Sequence, residues 1–218
     1  MAALALLSGG LDSTVACALY RADRGELALG LVVDYGQRAA GPELRAAQAV
    51  GEALGFPVRS TRLPLLEEVT RTALVDRSQG VPHPDREGLD RTAADTADAV
   101  WVPNRNGLLL ALAAALAEAE GLDDVVVGFN AEEARTFPDN GPGFLAATNE
   151  ALGFSTRGQV SVVAPTLHMD KAELLAAGRA LGAPLDLTLS CYEGGDMPCG
   201  RCESCLRRLR AEEGPGAG

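Results

Sequence analysis

Short apolar runs alternate with segments of helical periodicity along most of the chain. The runs with the length and composition of buried strands are 4–7, 27–33, 58–63, 125–128 and 160–164. Apolar positions recur at helical spacing in 12–23, 43–54, 105–120, 143–153 and 171–181. Because strands that alternate with helices assemble into a parallel sheet covered on both faces, the pattern predicts a doubly wound α/β fold with a mostly parallel sheet.

Local signals mark where several of these helices begin and end. Gly55, Gly121 and Gly182 follow the last periodic residue of three helices, where glycine readily forms a C-terminal cap. Asp170 followed by Glu173 is the pattern of a capping box. We therefore expect the last of the periodic helices to begin at Lys171.

Two segments lack this alternation. Residues 76–98 contain glycine, proline and many charged side chains but almost no large apolar residue, so we interpret them as a mobile surface insertion. The end of the chain, 211–218, is predicted to be a disordered tail. The chain then divides into an α/β domain at 1–185, which carries the insertion, a cysteine-rich segment at 186–210, and the tail.

Composition limits the class of protein. With 218 residues, of which 47% are hydrophobic, the chain can form one domain with a substantial core. It has no apolar run of the roughly 20 residues that a membrane span needs, and its first residues do not resemble a signal peptide. We therefore expect a cytoplasmic protein that does not bind membranes. A net charge of −11 also disfavours a nucleic-acid-binding surface, which needs clustered Lys and Arg.

The first candidate site follows the first predicted strand, in the sequence SGGLDST at 8–14. Ligands of open parallel sheets bind beyond the carboxyl ends of the strands. Glycines let backbone N–H groups approach a ligand, hydroxyls add donors, and the helix start adds the positive end of its dipole. We predict a nucleotide phosphate site formed by Leu7, Ser8, Gly9, Gly10, Leu11, Asp12, Ser13, Thr14 and Val15. A glycine-rich turn without a ligand is the alternative.

Four of the five cysteines lie near the end of the chain. Cys191, Cys199, Cys202 and Cys205 have the spacing C-x7-C-x2-C-x2-C. Such clustering in a cytoplasmic protein favours a metal over disulfides, and four thiolates suit a structural zinc ion in tetrahedral geometry. Unliganded reduced cysteines and an iron–sulfur cluster are the alternatives. Arg201, Arg207 and Arg208, in the same segment, would offset the charge of the thiolates. Cys17 lies alone in a helix and is expected to be buried.

Other polar residues lie on the same side of the predicted sheet. Asp34, Gln37 and Arg38 follow the second strand and are predicted to contact nucleotide or substrate, with an ordinary strand-end turn as the alternative. Arg105 opens a helix, and its planar cation suits a phosphate or carboxylate; a surface charge is the alternative. Lys171 also opens a helix and is placed to neutralise phosphate charge in a transition state.

The motif SGGLDST resembles the signature of the PP-loop ATP pyrophosphatases, which split ATP to AMP and pyrophosphate while adenylating an oxygen of their substrate. Further stretches occur in the order found in one branch of that family: DYGQR at 34–38, WVPNRN at 101–106, FPD at 137–139, DKAEL at 170–174 and SCY at 190–192. Together they extend over nearly the whole chain.

This resemblance implies a fold, cofactors and an assembly. The fold would be of the adenine nucleotide alpha hydrolase type, with strand order 3-2-1-4-5. ATP and Mg²⁺ would bind at the loop, with catalytic roles for Asp12, Arg105 and Lys171. The resemblance also implies a four-cysteine zinc site and a homodimer.

The branch acts in queuosine precursor biosynthesis. The resemblance therefore implies an ATP-dependent carbon–nitrogen ligase that converts 7-carboxy-7-deazaguanine and ammonia to 7-cyano-7-deazaguanine, through an acyl adenylate and an amide.

Two stretches depart from the pattern of the branch. Ala39 and Ala40 follow DYGQR, where a histidine and another basic residue are typical, and Asn140 and Gly141 follow FPD, where Cys and Arg are typical. Glu133 is the candidate for the acid that precedes FPD in the family. A sister ligase that stops at the amide or uses another amine stays open, as do a tRNA-modifying PP-loop enzyme and a non-catalytic nucleotide- or zinc-binding module.

Overall fold

The structure, a computed structural model, describes residues 1–86, 89 and 93–214. Its centre is a sheet of five parallel strands in the order β3-β2-β1-β4-β5. The strands are β1 Ala2–Leu6, β2 Glu26–Asp34, β3 Val58–Arg62, β4 Asp124–Val126 and β5 Ser161–Val163. The predicted fold class and strand order are therefore confirmed.

Every segment with helical periodicity forms a helix. The helices of the described chain are α1 Leu11–Asp23, α2 Ala40–Leu54, α3 Pro64–Val69, α4 Ala93–Val100, α5 Arg105–Glu120, α6 Ala131–Ala134, α7 Pro142–Ser155, α8 Lys171–Ala180 and α9 Glu203–Glu213. Both halves of the predicted capping box, Asp170 and Glu173, are present at the start of α8. Within the described ranges, no helix is both long enough and apolar enough to cross a membrane.

The central strand contributes side chains to two apolar cores, one on each face of the sheet. Leu4 packs in the core that includes Leu110 of α5 and Leu152 of α7. Ala3 and Ala5 point into the opposite core, which also contains residues of α1 and α2. Both faces of the sheet are thus covered by helices, so a ligand has access to the sheet at the ends of its strands.

The order of the strands determines which end of the sheet forms a crevice. From β1, the chain continues to β2 and β3 on one side and later returns to β4 and β5 on the other. Connections that leave β1 and β4 therefore run in opposite directions, and a crevice opens at the carboxyl ends of these two strands. The SGGLDST turn lies at this position, between β1 and α1.

Helices α9 and α4 correct two predictions. Because α9 continues to Glu213, residues 211–213 of the predicted disordered tail are helical, whereas 215–218 lie outside the described residues. Helix α4 begins within the predicted insertion at 76–98, and Val81 and Leu89 of that segment are buried. The insertion is thus not entirely a surface segment. Residues 87, 88 and 90–92 lie outside the description, and the mobility of the insertion stays a prediction.

Candidate functional site

A cavity of about 240 Å³ lies at the carboxyl ends of β1, β2 and β4. The residues of the predicted site that line it are Leu7, Ser8, Gly10, Leu11, Asp12, Ser13, Gln37, Arg38, Arg105 and Lys171. The other predicted nucleotide-binding residues, Gly9, Thr14, Val15 and Asp34, do not line this cavity. The structure thus brings most of the predicted set together, from segments far apart in the chain.

The turn after β1 is fastened by its own side chains. The Gly10 N–H donates to Ser8 Oγ at 3.2 Å, and the Thr14 hydroxyl donates to the Gly10 carbonyl at 2.8 Å. Thr14 is fully buried, and Val15 packs against Leu174 of α8. These two residues therefore support the turn, while Ser8 and the first turn of α1 face the cavity with N–H groups that lack helical partners.

Two glycines permit close contacts around this turn. Gly9 has a φ of +69°, and a Cβ added there would lie 2.6 Å from the Glu43 carbonyl oxygen of α2. A Cβ at Gly128, just after β4, would lie 2.5 Å from the Ser13 backbone nitrogen. Gly9 thus lets the turn pack on α2, and Gly128, which the sequence analysis did not identify, lets the end of β4 approach the start of α1.

Replacing Gly9 by alanine is expected to destabilise the fold by about 3 kcal/mol, because backbone strain and overpacking add at this position. Gly55 is the matched control, since its φ is +81° but a Cβ there would meet nothing within 4 Å. Gly55→Ala should cost only the strain, about 1 kcal/mol. Urea unfolding of both variants checks the prediction, and equal losses would contradict it.

Lys171 is the cation of a compact cluster in the cavity wall. Its Nζ contacts Asp12 Oδ2 and lies 3.2 Å from Glu133 Oε1, and Asn130 Nδ2 lies 3.2 Å from the same Asp12 oxygen. The Lys171 and Asp12 side chains are only 12% and 18% exposed. Lys171 is also the only lysine in the chain, since the other eighteen of the nineteen basic residues are arginine.

The three charges of this cluster shift one another's pKa values. Burial raises the pKa of Asp12 to about 6, although the Lys171 ammonium opposes this rise. Burial also acts to raise the pKa of Glu133, but Lys171 outweighs it, so this pKa lies below its ordinary value. For Lys171, burial acts to lower the pKa, and the two carboxylates raise it above the ordinary value. Lys171 therefore carries its positive charge at neutral pH.

The donor set of the cluster fits a divalent cation. Asp12 Oδ1 is buried, and no N–H or O–H group of the described residues donates to it. Buried polar atoms normally have a partner, and hard cations such as Mg²⁺ prefer carboxylate oxygens. Asp12 Oδ1 is thus the atom in this cavity most suited to ligate a magnesium ion that accompanies a nucleotide.

Arg105 adds a second cation to the cavity wall from the start of α5. Its guanidinium lies 3.5 Å from the Tyr35 hydroxyl and 3.3 Å from Asn106 Oδ1. Burial acts against its charge, but Tyr35 and the Asp139 carboxylate raise its pKa. Because these neighbours leave the face toward the cavity uncovered, Arg105 can bind an anionic group of a ligand.

The polar side chains that follow β2 form hydrogen bonds and an ion pair with other residues of the protein. Gln37 donates to the Val33 carbonyl and to Glu43 Oε2, at 3.2 and 2.9 Å. Asp34 accepts from the Gly36 N–H at 2.9 Å and pairs with Arg62. Asp34 thus makes the contacts of an ordinary strand-end turn, and its contact with nucleotide or substrate stays a prediction.

Arg38 forms hydrogen bonds with a neighbouring segment of the chain. Its guanidinium donates to the backbone carbonyls of Ala73, Asp76 and Gln79, which fastens this segment beside the cavity. The sequence could not reveal these contacts, because the partners are carbonyl groups at least 35 residues away. Arg38 lines the cavity, but its guanidinium N–H groups already donate to these carbonyl groups.

The four predicted metal ligands converge at one point. The Sγ atoms of Cys191, Cys199, Cys202 and Cys205 all lie within 4.8 Å of one another. A tetrahedral zinc ion with Zn–S bonds of about 2.3 Å separates its sulfur ligands by about 3.8 Å. The Cys199 and Cys205 sulfurs lie 3.9 Å apart, so the cluster has the dimensions of a site for a single ion.

Backbone groups prepare the cluster for anionic sulfur. The Cys202 N–H donates to Cys199 Sγ at 3.3 Å, and the Cys199 N–H donates to Cys191 Sγ at 3.4 Å. Burial acts to raise the pKa of Cys199, but such backbone donors lower it to about 7, whereas burial raises the pKa of Cys202 and Cys205 while no metal ion is bound. A thiolate is the form that ligates metals, so the residues present fit a metal ion.

Helix α9, which contains Cys205 and begins directly after Cys202, also reaches the Lys171 cluster. Arg207 of α9 lies 2.6 Å from Glu132 and 2.9 Å from Glu203, and all three side chains are less than a tenth exposed. The other Glu132 oxygen accepts from the Lys171 backbone N–H at 3.3 Å. Arg207, predicted to offset the charge of the thiolates, instead joins α9 to the α6 turn that carries Glu132 and Glu133.

Replacing Glu132 by glutamine is expected to lower the free energy of unfolding by about 3 kcal/mol, because Arg207 then keeps a buried charge with weaker compensation. The matched control is Glu212→Gln. Its partner Arg208 also lies 2.9 Å away, but Glu212 is 38% exposed, so its loss should cost less than about 0.5 kcal/mol. Urea unfolding at neutral pH measures both changes, and similar losses for the two variants would refute a buried link.

Asn130 and Glu132 were not among the residues predicted from the sequence. Asn130 caps α6, accepting from the backbone N–H groups of Glu132 and Glu133, while its amide donates to Asp12. The local signal was present, because an asparagine directly after a buried strand and before two acids is typical of a helix N-terminus. The link from Glu132 to Arg207 had no such signal, since 75 residues separate the two.

Comparison with known proteins places the chain among relatives of defined activity. Residues 2–214 match the family model described as queuosine biosynthesis protein QueC. The chain is 48% identical over 218 residues to the 7-cyano-7-deazaguanine synthase of Desulforudis audaxviator, covering 99% of this chain and 98% of the relative. It is 44% identical over 216 residues to the protein of the same name from Methanosarcina mazei, covering 97% and 93%.

A solved structure shares the fold. The U34-tRNA thiolase NcsA from Methanococcus maripaludis, determined with its 4Fe–4S cluster, superimposes with a TM-score of 0.53. The match covers 99% of this chain and 67% of the thiolase, at 14% sequence identity. At this identity the likeness concerns the fold alone.

Proposed function

Since the chain belongs to the queuosine biosynthesis protein QueC family, we propose that it converts 7-carboxy-7-deazaguanine and ammonia to 7-cyano-7-deazaguanine at the expense of ATP. One observation carries the chemistry. A single cavity is lined by the turn after β1, the buried Lys171–Asp12 pair and Arg105. Such a cavity suits the binding and cleavage of a nucleoside triphosphate. The relatives that share one name favour this activity over an amide-forming ligase or a tRNA-modifying enzyme.

ATP binds in this proposal with its phosphates at the turn. The N–H groups of the first turn of α1 hold the β- and γ-phosphates, assisted by Ser8. Lys171 and Arg105 supply positive charge beside the α-phosphorus, where charge develops in the transition state. Magnesium, when bound, neutralises phosphate charge, and Asp12 Oδ1 is the atom that fits as its ligand.

The first half of the reaction forms an amide. A carboxylate oxygen of the substrate attacks the α-phosphorus, the bond to the bridging oxygen breaks, and pyrophosphate leaves. Ammonia then attacks the acyl carbon, and AMP leaves with the former carboxylate oxygen. Glu133, which lines the same cavity, is the carboxylate placed to accept the proton that ammonia loses.

The second half dehydrates the amide in the same cavity. The amide oxygen attacks the α-phosphorus of a second ATP, and pyrophosphate again leaves. Loss of AMP with that oxygen, together with two protons from nitrogen, gives the nitrile. No covalent enzyme intermediate is needed, so positioning and charge stabilisation by the cavity residues account for the catalysis.

We also propose that the four-cysteine cluster holds one structural zinc ion. A site with four protein ligands keeps no open position for substrate, and its role is to hold the C-terminal segment on the domain. We also propose a homodimer, which the resemblance to the family implies, and a cytoplasmic location, which suits a family of biosynthetic proteins.

Mass spectrometry of the products tests the proposed function. Purified protein is incubated with ATP, Mg²⁺, ammonium and 7-carboxy-7-deazaguanine, and a parallel reaction omits ammonium. We expect the nitrile together with two AMP and two pyrophosphate per molecule of product. Amide that is never dehydrated would replace this function by that of an amide-forming ligase, and absence of substrate-dependent AMP would overturn it.

A further inference from the structure

A second cavity of about 40 Å³ adjoins the nucleotide cavity. The two cavities share the wall residues Leu74, Arg105, Glu133 and Tyr192. The remaining wall of the smaller one includes Trp101, Phe137 and Asp139. A flat ligand larger than the smaller cavity can therefore lie partly in each, with its reactive end toward Lys171.

Aromatic side chains give the smaller cavity a flat wall. The rings of Trp101 and Phe137 are nearly parallel, with an angle of 17° and a centroid separation of 6.3 Å. Tyr192 adds a third ring to the wall. Planar heterocycles stack on such surfaces with substantial gain in affinity, so this wall is suited to a nucleobase-like ring.

Asp139 supplies a hydrogen-bond acceptor at the same wall. Asn140 Nδ2 lies 3.3 Å from Asp139 Oδ1, and the described residues form no ion pair with this carboxylate. Glu133, by contrast, is already paired with Lys171. Burial raises the pKa of Asp139, although Arg105 opposes the rise, as expected for a carboxylate that lacks sufficient donors.

We propose that this second cavity receives the pyrimidine edge of the substrate's fused ring, the rest of which lies in the nucleotide cavity, with the Asp139 carboxylate accepting hydrogen bonds from N1–H and the 2-amino group. This inference rests on the proposed function. A guanine-type edge presents two adjacent donors, which match the two oxygens of a carboxylate. The substrate carboxylate, on the five-membered ring at the other end, then extends past Arg105 toward Lys171 and the turn after β1. Asp139 is thus a specificity-determining residue.

Discrimination between two substrates tests this assignment. The second compound is 7-carboxy-7-deazahypoxanthine, which lacks only the 2-amino group. We expect the wild type to favour the guanine compound in kcat/KM by roughly 100-fold, because the analogue keeps N1–H but leaves one oxygen of the carboxylate without a donor. In Asp139→Asn, KM for the guanine compound should rise about 30-fold and the preference should fall below about 3-fold, with KM for ATP unchanged.

The single tryptophan offers a binding measurement that does not depend on turnover. Trp101 is the only tryptophan in the chain, so its fluorescence reports on this wall alone. Adding 7-carboxy-7-deazaguanine without ATP should quench this fluorescence, with a Kd about 30-fold weaker in Asp139→Asn. Asp186→Asn, on an exposed turn, is the matched control and should behave as wild type.

The outcomes separate this inference from the proposed function. If the wild type forms nitrile but Asp139→Asn keeps the full preference for the guanine compound, the assignment of Asp139 is overturned. Unchanged Trp101 fluorescence at saturating substrate would overturn the placement of the ring. A wild type that forms no substrate-dependent AMP would overturn the proposed function and, with it, this inference.

Discussion

Replacing Lys171 by glutamine is expected to lower the rate of AMP formation about 1,000-fold, or ~4 kcal/mol in the transition state. The ammonium contacts Asp12 beside the turn after β1 and is held charged by two carboxylates. Glutamine is one bond shorter but still donates hydrogen bonds toward the carboxylates, so we expect the fold to survive. Measurement of AMP and pyrophosphate release, together with the melting temperature, checks both statements.

Two further variants show whether the position requires lysine itself. Arg179→Gln removes an exposed cation from the same helix and should leave the rate unchanged. Lys171→Arg keeps the charge but places a larger planar group between Asp12 and Glu133, so we expect a loss of at least about 10-fold. If Lys171→Gln keeps a tenth or more of the wild-type rate, a direct role of the ammonium is refuted.

Loss of the proposed zinc ion is expected to have the largest effect on stability. Binding of structural zinc by four thiolates contributes on the order of 10 kcal/mol, which is comparable to the whole stability of a typical domain. Cys202 is fully buried and precedes α9, so Cys202→Ser should release both the ion and the helix. We expect the melting temperature to fall by more than about 10 °C and the activity to disappear with it.

The fifth cysteine provides the control for this experiment. Cys17 is also buried, but it lies in the core between α1 and the sheet. Cys17→Ala should therefore retain one ion per chain and melt within a few degrees of the wild type. Elemental analysis of the wild type, Cys202→Ser and Cys17→Ala measures the number and identity of metal ions per chain. Iron in the wild type would replace zinc in the proposal, and a Cys202→Ser protein with unchanged metal content would refute the site.

The elements of the fold could be predicted where their signals are local. Helix α5 has the predicted bounds, Arg105–Glu120, because its leucines recur at helical spacing and Gly121 ends it. The capping box at Asp170 and Glu173 involves residues three positions apart, so the sequence displays it directly. The strand order, in contrast, came from resemblance to a family, since periodicity does not determine which strands pair.

Helix α9 could not be predicted from apolar spacing. Its stabilising contacts are polar, with Arg207 held between Glu132 and Glu203, and two of the clustered cysteines lie at its start. A periodicity of apolar residues does not register ion pairs or metal ligands. The same limit explains why the predicted tail began too early, at residue 211.

The candidate site also combines features that the sequence predicts with contacts that it does not reveal. Asp12, Arg105 and Lys171 could be brought together because the carboxyl ends of parallel strands share one edge of the sheet. The roles of Asp34 and Arg38 could not be predicted, since their partners are a neighbouring strand and distant backbone carbonyls. A residue that follows the carboxyl end of a strand is thus predicted to lie near the site. Its position does not show whether its side chain already binds another residue of the protein.

The single lysine has a consequence for chemical labelling. Amine-reactive dyes attack the neutral form of an amine, and the Lys171 amine is buried, paired with carboxylates and held protonated. The only lysine side chain is therefore shielded from such dyes while the chain is folded. Attachment of a dye to Lys171 would report the opening of the cavity, and bound nucleotide should slow this attachment.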